Sequence, residues 1–455
     1  MNDLSRIQHP YMFYRKDNLN APMRPLSPSS SNPWLYYQEY KENMFRNLGF
    51  ESKKHIHDFD QYRHVLDKID DAEWEGDKVM DDVVAKFKEL SGGKGRKIFE
   101  KILEDGIESV DNPPQAFVEL AKQIDELPNL FDMDKVHRAV DKLATMPLIT
   151  FYIGNLATLM TAANLGIASR ALAATGRFTD PKRVLNRLVE SFAYLHGNLM
   201  EDRAFERESD SLKNGVRIRL MHALVRAKLM ASDDKGVNDF ENRGNPISMR
   251  TAAMGSVGFV MNFMFVDTLI GGKASPGDYE DIAELGRVVS YVNGADEKLL
   301  AKSIWEQCLY MDYYLSSSEG PTEYTAHLNQ ATFSGLTKIL SEGQDTEVKR
   351  KVLHWFIKSF VAGIILGVFG KQFYQEMPNM PKLNVLAYMV MPTIKYSRIV
   401  YDFFNRVIPG YDGRIKSRMK FNREFTKEGF PEFISKLTNR DKEKVTYQGH
   451  DNPAS

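Results

Sequence analysis

The chain has 455 residues, of which 43% are hydrophobic, so its length allows one large helical domain or two or three smaller ones. Its formal net charge is -1, and this balance gives no support for nucleic acid as a partner. Cys308 is the single cysteine, which excludes an intramolecular disulfide and a metal site built from cysteines.

The two ends of the chain differ in composition from its middle. Residues 1–35 are rich in Pro, Asn and Ser, which predicts an irregular arm without a core of its own. The arm has no apolar signal segment, so we expect a cytoplasmic protein. After it helical periodicity dominates and convincing hairpin signals are missing. We therefore predict an all-α fold, with a helical domain over 36–400 and a basic extension over 401–455.

Glycine and proline mark predicted helix breaks and helix starts in the part of the chain that follows the arm. Residues 58–105 predict charged amphipathic helices with a break at Gly92-Gly93. Asn112-Pro113-Pro114 predicts the start of another helix, and Pro128 predicts a loop before a helical segment at Val136–Leu143.

The stretch from Leu143 to Ser169 carries no charge over 27 residues, which is long enough to span a bilayer. It also contains Pro147, Gly154 and Asn155 among other small and amide residues, which suit close helix packing in a protein interior. We favour a buried helix and keep a membrane span as the alternative.

A polar cluster follows on an otherwise apolar helix, which we predict to begin at Thr179-Asp180-Pro181. Arg187, Glu190 and Ser191 are three and four residues apart, so they share one helix face. They form either the polar part of a pocket or an internal Arg187–Glu190 pair beside a serine.

The most informative segment, from Val216 to Arg226, places one imidazole in a nearly apolar helix. Such a helix is buried, so the ring nitrogens of His222 need a partner. Arg219 and Arg226 lie one turn on either side of His222 and need anions. A haem would satisfy both needs, with iron for the imidazole and two propionates for the guanidinium groups. The alternative is a core histidine bonded to a carbonyl group, with both arginines paired to Asp or Glu.

Apolar helices continue in the second half of the chain. Thr251 to Thr268 is rich in Gly, Met and Phe and predicts a buried helix, and Ser275-Pro276 predicts the start of the next. Two later apolar runs, 359–370 and 383–394, are too short to span a bilayer and belong to the core or to a membrane interface. Residues 395–444 carry 13 basic and 7 acidic side chains, which predicts a solvated helical surface or contact with an anionic membrane.

Several common catalytic motifs are missing. The sequence has no HExxH, GxxxxGK[ST], GxGxxG or GxSxG, so zinc proteases, nucleotide-binding enzymes and serine hydrolases receive no support. The neighbouring carboxylates Asp81 and Asp82 lie in a charged context and predict a solvated face.

Short motifs spread along the chain occur in an order found in a known family. They are Trp74-x-Gly76-Asp77, Ala174-Thr175-Gly176-Arg177, Arg187 with Ser191, Val216-Arg217-x-Arg219-Leu220-Met221-His222-Ala223-x-Val225-Arg226, Asn245-Pro246-Ile247, Gly255-Ser256, Leu269-Ile270-Gly271 and Asn293-Gly294. Together they resemble the family of the latex-clearing rubber oxygenases and the fungal prenyl-chain-cleaving oxygenase of mycophenolic acid synthesis. The resemblance covers about residues 60–300 firmly and 300–400 loosely.

The resemblance implies an all-α fold with a globin-like core around one haem b, bound without a covalent link because the sequence has no CxxCH. By this likeness His222 is the proximal iron ligand, and Ser256 stands where the family has a threonine near the haem. Arg187 and Ser191 match the family's distal arginine and hydroxyl residue. Glu190 replaces the lysine of the rubber oxygenases, which changes a donor into an acceptor or a general base.

We therefore expect a haem b oxygenase that uses dioxygen to oxidise or cleave an apolar alkene or isoprenoid, with Glu190 taking an allylic proton. The alternatives are a non-catalytic haem- or lipid-binding protein at a membrane surface and a plain helical interaction protein. Peripheral membrane contact is kept as an alternative to a solvated surface, and a nucleic acid partner is not expected. The Met- and Phe-rich helix is expected to line an apolar channel for the substrate with Met254, Phe259, Met261, Phe263, Met264 and Phe265.

Overall fold

The structure is a computed structural model, and it describes residues 40, 43, 44, 46, 63–90, 92–165, 168, 169, 171, 172, 199–232, 244–317, 323–341 and 346–426. The expected N-terminal arm, the helix expected from Thr179 and the chain after residue 426 lie outside these residues.

Within the described ranges there are sixteen α-helices, two 3-10 turns and no strand, which confirms the all-α prediction. The first seven helices are α1 (Arg63–Asp71), α2 (Lys78–Glu89), α3 (Lys94–Asp105), α4 (Gln115–Asp125), α5 (Leu127–Leu130), α6 (Met133–Ala144) and α7 (Leu148–Asn164). The others are α8 (Asp210–Met230), α9 (Met249–Leu269), α10 (Pro276–Val292), α11 (Ile304–Ser317), α12 (Glu323–Ser341), α13 (Glu347–Phe369), α14 (Lys371–Glu376), α15 (Val385–Val407) and α16 (Tyr411–Glu424). The 3-10 turns are Ile107–Ser109 and Glu297–Leu299.

Local signals set several helix ends where the sequence predicted them. The Ser275 hydroxyl accepts a hydrogen bond from the Asp278 N–H at 3.1 Å, and the Asp278 carboxylate accepts one from the Ser275 N–H at 2.7 Å, which forms a capping box for α10. Gly92 and Gly93 adopt left-handed φ angles of 69° and 71° between α2 and α3. The prediction that Pro128 opens a loop is wrong. Pro128 is the second residue of the short α5, where a missing N–H removes no intrahelical bond.

Helix α9 lies at the centre of the core and packs against α7 on one side and α10 on another. The contact with α7 is close at Gly154, where an added Cβ would lie 2.6 Å from the Phe263 ring. Most residues of α7 are buried. The uncharged stretch between Leu143 and Ser169 therefore contains a buried helix, which was the favoured interpretation.

Two helices, α9 and α13, are long and apolar enough to cross a membrane by length and composition. The pair α6 and α7 also meets this criterion when taken together, although a bend of 107° separates the two. In the fold, 73% of the apolar window of α9 and 50% of that of α13 is buried against protein.

Helices α13 and α15 pack side by side, and α15 crosses residue 400, where the basic extension was predicted to begin. Gly363 of α13 faces the backbone of α15. A Cβ at Gly363 would lie 2.7 Å from the Val390 Cβ and closer still to the Ala387 carbonyl oxygen.

We expect Gly363→Ala to lower the free energy of unfolding by about 1–3 kcal/mol, because the α15 backbone cannot move aside as a flexible side chain would. Gly413→Ala in α16 is the matched control, since nothing lies within 4 Å of its added Cβ. That control should be neutral or stabilising by about 0.5–1 kcal/mol. Urea unfolding measures both variants, and equal stabilities would contradict the close packing.

Candidate functional site

Helix α8 carries the candidate site and is longer than the motif within it. It begins at Asp210, and the Ser209 hydroxyl caps it by accepting from the Leu212 N–H at 3.2 Å. The Ser211 hydroxyl in its first turn accepts a hydrogen bond from the Phe205 N–H at 2.7 Å. Buried residues occur around most of the circumference of α8, so its charged groups need partners inside the protein.

Arg219 is 4% exposed and forms a two-point ion pair with Asp77, which is 6% exposed. The Nε–Oδ2 distance is 2.5 Å and the Nη2–Oδ1 distance is 2.8 Å. The Nη2 group also donates to the Gln123 Oε1 at 2.8 Å. Burial lowers the pKa of Arg219, but attraction to Asp77 outweighs it and raises that pKa above its ordinary value. The guanidinium group therefore stays charged.

Arg226, also 4% exposed, pairs with Asp81 from the same helix α2. The Nη2–Oδ1 distance is 2.5 Å, and Nη1 donates to the Ile247 carbonyl at 2.9 Å. Burial raises the pKa of Asp81, and the hydrogen bond from Arg226 opposes this rise. Ile247 has a φ of 53°, which is rare for a β-branched residue and costs strain at this contact.

Segments far apart in sequence meet at these ion pairs. The linker between α1 and α2 pairs its backbone with the start of α9, since the Asn245 N–H donates to the Glu73 carbonyl and the Met249 N–H to the Glu75 carbonyl, both at 2.7 Å. Glycine is required where the chain passes the charged groups. A Cβ at Gly76 would lie 2.6 Å from the Asp81 Oδ2, and a Cβ at Gly294 would lie 2.9 Å from the Arg219 Nε.

His222 lies between the two arginines on α8, and its Nδ1 is buried without a hydrogen-bond partner in the described part of the chain. Burial lowers the pKa of His222 to about 4, and the nearby positive charge of Arg226 adds to this effect. The ring is therefore a neutral imidazole at pH 7, which is the protonation state that binds a metal.

A cavity of about 220 Å³, partly open to solvent, adjoins this imidazole. This space includes open solvent and is far too small for a haem, which would need room beyond it. The cavity is lined by Asp77, Arg219, His222, Arg226, Ile247, Ser248, Met249, Ala252 and Asn293.

The donor chemistry around His222 fits a cofactor that requires one protein ligand. In the described stretches no three His, Cys, Asp or Glu side chains cluster to hold a bare metal ion. A haem supplies four nitrogen ligands itself and needs one axial imidazole, which His222 offers with an unpaired buried nitrogen. The chemistry of this histidine therefore agrees with the haem expected from the sequence.

The structure describes only some of the other predicted site residues. Arg219 and Arg226 lie beside His222 and are paired with carboxylates, which is what the alternative interpretation described. Ser256 lies in α9, and its side chain is outside the described residues. Arg187, Glu190 and Ser191 also lie outside them, so their joint face stays a prediction.

Sequence reasoning missed both carboxylates of the site. The prediction that Asp81 belongs to a solvated face is wrong, because its carboxylate meets Arg226 and is only 36% exposed. Asp77 was noticed only as part of a motif, although a capping position before α2 was a usable signal, since Asp77 accepts from the Met80 N–H. Their spacing of four residues places both on one face of α2.

The predicted apolar channel is also wrong for the side chains that the structure describes. Five of its six proposed lining residues have no exposed surface, so they border no space large enough for water and are packed core. Phe259 is the sixth, and its side chain lies outside the described part. The five are Met254, Met261, Phe263, Met264 and Phe265.

Comparison with known proteins gives two matches. A family model described as "ER-bound oxygenase mpaB/B'/Rubber oxygenase, catalytic domain" matches residues 142–381, more than half of the 455-residue chain. A solved structure of latex clearing protein LCP in the closed state is similar with a TM-score of 0.53 and 14% sequence identity, covering 77% of this chain and 91% of that chain. At this identity the second likeness supports the fold alone. The comparison with curated proteins finds no match.

We expect Asp77→Asn to lower the free energy of unfolding by about 3–5 kcal/mol, because it leaves the buried Arg219 without its counter-charge. Asp82→Asn is the matched control on the same helix, since Asp82 is 53% exposed and pairs only with the exposed Lys78. The control should change stability by less than about 1 kcal/mol. Urea unfolding distinguishes them, and a mild effect of Asp77→Asn would mean that Arg219 is solvated.

A pH dependence follows from the depressed pKa of His222. His222 binds a proton near pH 6.5 in the unfolded chain but only near pH 4 in the folded chain. The stability of the folded chain that depends on a neutral His222 is therefore complete above pH 6.5 and is lost as pH falls towards 4. Across this window we expect the cofactor-free wild type to lose about 3 kcal/mol more than His222→Gln, which cannot titrate. Unfolding curves at several pH values measure the difference, and identical pH slopes would show that the ring is solvated.

Proposed function

The chain belongs to the family of ER-bound and rubber oxygenases, and within this oxygenase family we propose that it is a haem b-dependent enzyme that uses dioxygen on an apolar alkene or isoprenoid. The family match covers α8, α9 and α10 and thus the helix that carries His222. The Asp77 and Asp81 carboxylates that hold α8 lie before the matched region.

The observation that carries this proposal is the state of His222. His222 is half-buried, but its Nδ1 is fully buried and has no hydrogen-bond partner among the described residues, which is costly for a neutral imidazole unless it serves a ligand. His222 is therefore proposed as the residue that would hold the haem iron through its imidazole. When bound, the haem supplies an iron that can activate dioxygen.

The role proposed for the two arginines differs from the pairing with two propionates that the sequence suggested. Asp77 and Asp81 already neutralise them, so they do not require propionates for charge balance. The Arg219 Nη1 makes no hydrogen bond among the described residues and keeps donors for a propionate. Both arginines are proposed to fix the position of α8 beside the cofactor, with Arg219 able to contact it.

The proposed reaction is oxidative cleavage of a carbon–carbon double bond. The double bond and the O–O bond break, and each carbon receives one oxygen atom as a carbonyl group. One dioxygen molecule balances the reaction without a further reductant. Where the reaction begins with loss of an allylic proton, the base that takes this proton returns it before the products leave, so the overall balance is unchanged.

Three residues from outside the described ranges are proposed for the reacting side, on the strength of the sequence resemblance. Arg187 is proposed to donate a hydrogen bond to dioxygen, and Ser191 to orient it. Glu190 is proposed as the base that takes the allylic proton, with a pKa raised by burial. Ser256 is proposed to contact the haem from α9.

A cytoplasmic location at a membrane surface is proposed, in keeping with the words "ER-bound" in the family description and with the apolar helices of the fold. The second candidate function is a non-catalytic haem- or lipid-binding protein at such a surface. The exposed apolar side chains of α15 favour it as the runner-up.

We expect the purified protein to show a Soret absorption band, and His222→Ala to lose most of it because the axial ligand is gone. His354→Ala is the matched control, since this partly buried histidine lies on α13 away from the site. The band should remain in the control. Unchanged haem content in His222→Ala, or a folded wild type without a band after haem is supplied, would contradict the cofactor assignment.

Turnover separates the two candidate functions. Wild-type protein with a Soret band is incubated with an isoprenoid such as squalene, and oxygen uptake and carbonyl products are measured. Carbonyl products that disappear in His222→Ala support the oxygenase. A band without uptake or products from any alkene supports the binding protein.

A further inference from the structure

Every large apolar side chain that is strongly exposed in the described part of the chain lies between residues 348 and 421. Most of these side chains belong to α15 and the turn that follows it. Soluble proteins rarely expose such contiguous apolar surface without a partner. We therefore expect a binding partner to cover this surface.

The exposed apolar residues of α15 form one stripe along the whole helix. Each step along it is three or four residues, which is the spacing of a single helix face, and the exposed Pro392 completes it. The helix has 23 residues and is about 34 Å long. Six of the stripe's side chains are at least 52% exposed: Val385, Met389, Tyr396, Val400, Phe403 and Val407.

The opposite face of α15 packs against the rest of the protein, so the stripe faces away from it. Ala387 and Val390 pack against Gly363 of α13. The Arg398 guanidinium, also on the inner side, pairs with Asp402 at 2.5 Å and with the buried Asp267 at 3.4 Å. The helix cannot turn its apolar face inwards without breaking these contacts.

Positive charge accompanies the stripe. Residues 385–424 contain eight basic and three acidic side chains, an excess of five positive charges. Lys395 and Arg406 are exposed and eleven residues apart, so they lie three turns apart along one flank of the stripe. Lys416 is exposed on α16. None of these three forms a salt bridge within the described residues.

We propose that α15 is an interfacial membrane-docking helix, which lies in the plane of an anionic lipid surface with its stripe inserted among the acyl chains. An apolar face that carries Tyr396 and is flanked by Lys and Arg suits the boundary between headgroups and hydrocarbon. The long basic side chains reach the headgroups while their stems stay apolar. A second copy of the chain is the poorer occupant, because it would oppose two surfaces of the same positive charge.

The proposed surface begins after the matched oxygenase region, which ends at residue 381. It lies outside that region and does not require the cofactor or turnover, and it deepens the membrane location proposed above, on which it rests. Its test measures vesicle binding. The docking proposal can therefore fail while the oxygenase proposal holds, and the oxygenase proposal can fail while the docking proposal holds.

The first experiment floats the full chain with vesicles of phosphatidylcholine alone and with vesicles that also contain phosphatidylserine. We expect binding to the anionic vesicles, which high salt weakens. The combined variant Lys395→Gln, Arg406→Gln, Lys416→Gln should bind more weakly by about fivefold per positive charge removed. The matched control is Lys88→Gln, Lys94→Gln, Lys97→Gln, which removes three exposed charges from α2 and α3 and should bind like the wild type.

A second experiment locates the stripe in the bilayer. Phe403→Trp places an indole on the stripe, and its fluorescence should be quenched by vesicles with brominated acyl chains. Lys97→Trp on the exposed face of α3 is the control and should gain no quenching. Circular dichroism melting confirms that each variant is folded.

Three results would overturn the proposal: no binding of the wild type to anionic vesicles, equal loss of binding in the charge variant and its control, or bound Phe403→Trp protein without quenching. A dimer in light scattering that Phe403→Ser dissolves would assign the stripe to a second copy, and would overturn the proposal as well.

Discussion

The two buried arginine–aspartate pairs between α8 and α2 are the constraint on which the site depends. A guanidinium group that is 4% exposed needs a carboxylate at contact distance. Asp77 caps α2 and Asp81 lies one turn further on, while Arg219 and Arg226 are two turns apart on α8, so the pairs hold the start of α2 against α8. The close glycines and the strained Ile247 follow from that arrangement, since they surround these charges.

The same constraint sets the chemistry of His222. The aspartates hold both arginines in place, and the positive charge of Arg226 disfavours a second positive charge nearby. Burial acts in the same direction and more strongly, so the imidazole is neutral, and its Nδ1 has no hydrogen-bond partner within the described ranges. The ion pairs thus do more than join helices, because the charge of Arg226 adds to the effect of burial and favours a neutral imidazole, the form that can bind a metal.

The sequence was sufficient for features that depend on local physics. The all-α class, the break at Gly92-Gly93 and the capping box at Ser275 follow from neighbouring residues, and His222 stood out as a lone imidazole in an apolar helix. The partner of Arg226 was not predictable, because Asp81 lies 145 residues away and a propionate or a carboxylate would satisfy it equally. The channel prediction failed because methionine and phenylalanine are equally at home in a packed core.

Helix α15 shows another limit of prediction from the sequence alone. Its spacing predicts a stripe, but spacing does not say whether the stripe faces protein or lipid. That choice is made by other elements: the small Gly363 of α13 accepts the inner face of α15, and Asp267 of α9 holds Arg398. Once the inner face is fixed, the apolar face is left outside. Apolar alkenes partition into bilayers for the reason that this face avoids water. A domain held against lipid by α15 would therefore meet an apolar substrate where that substrate is most concentrated.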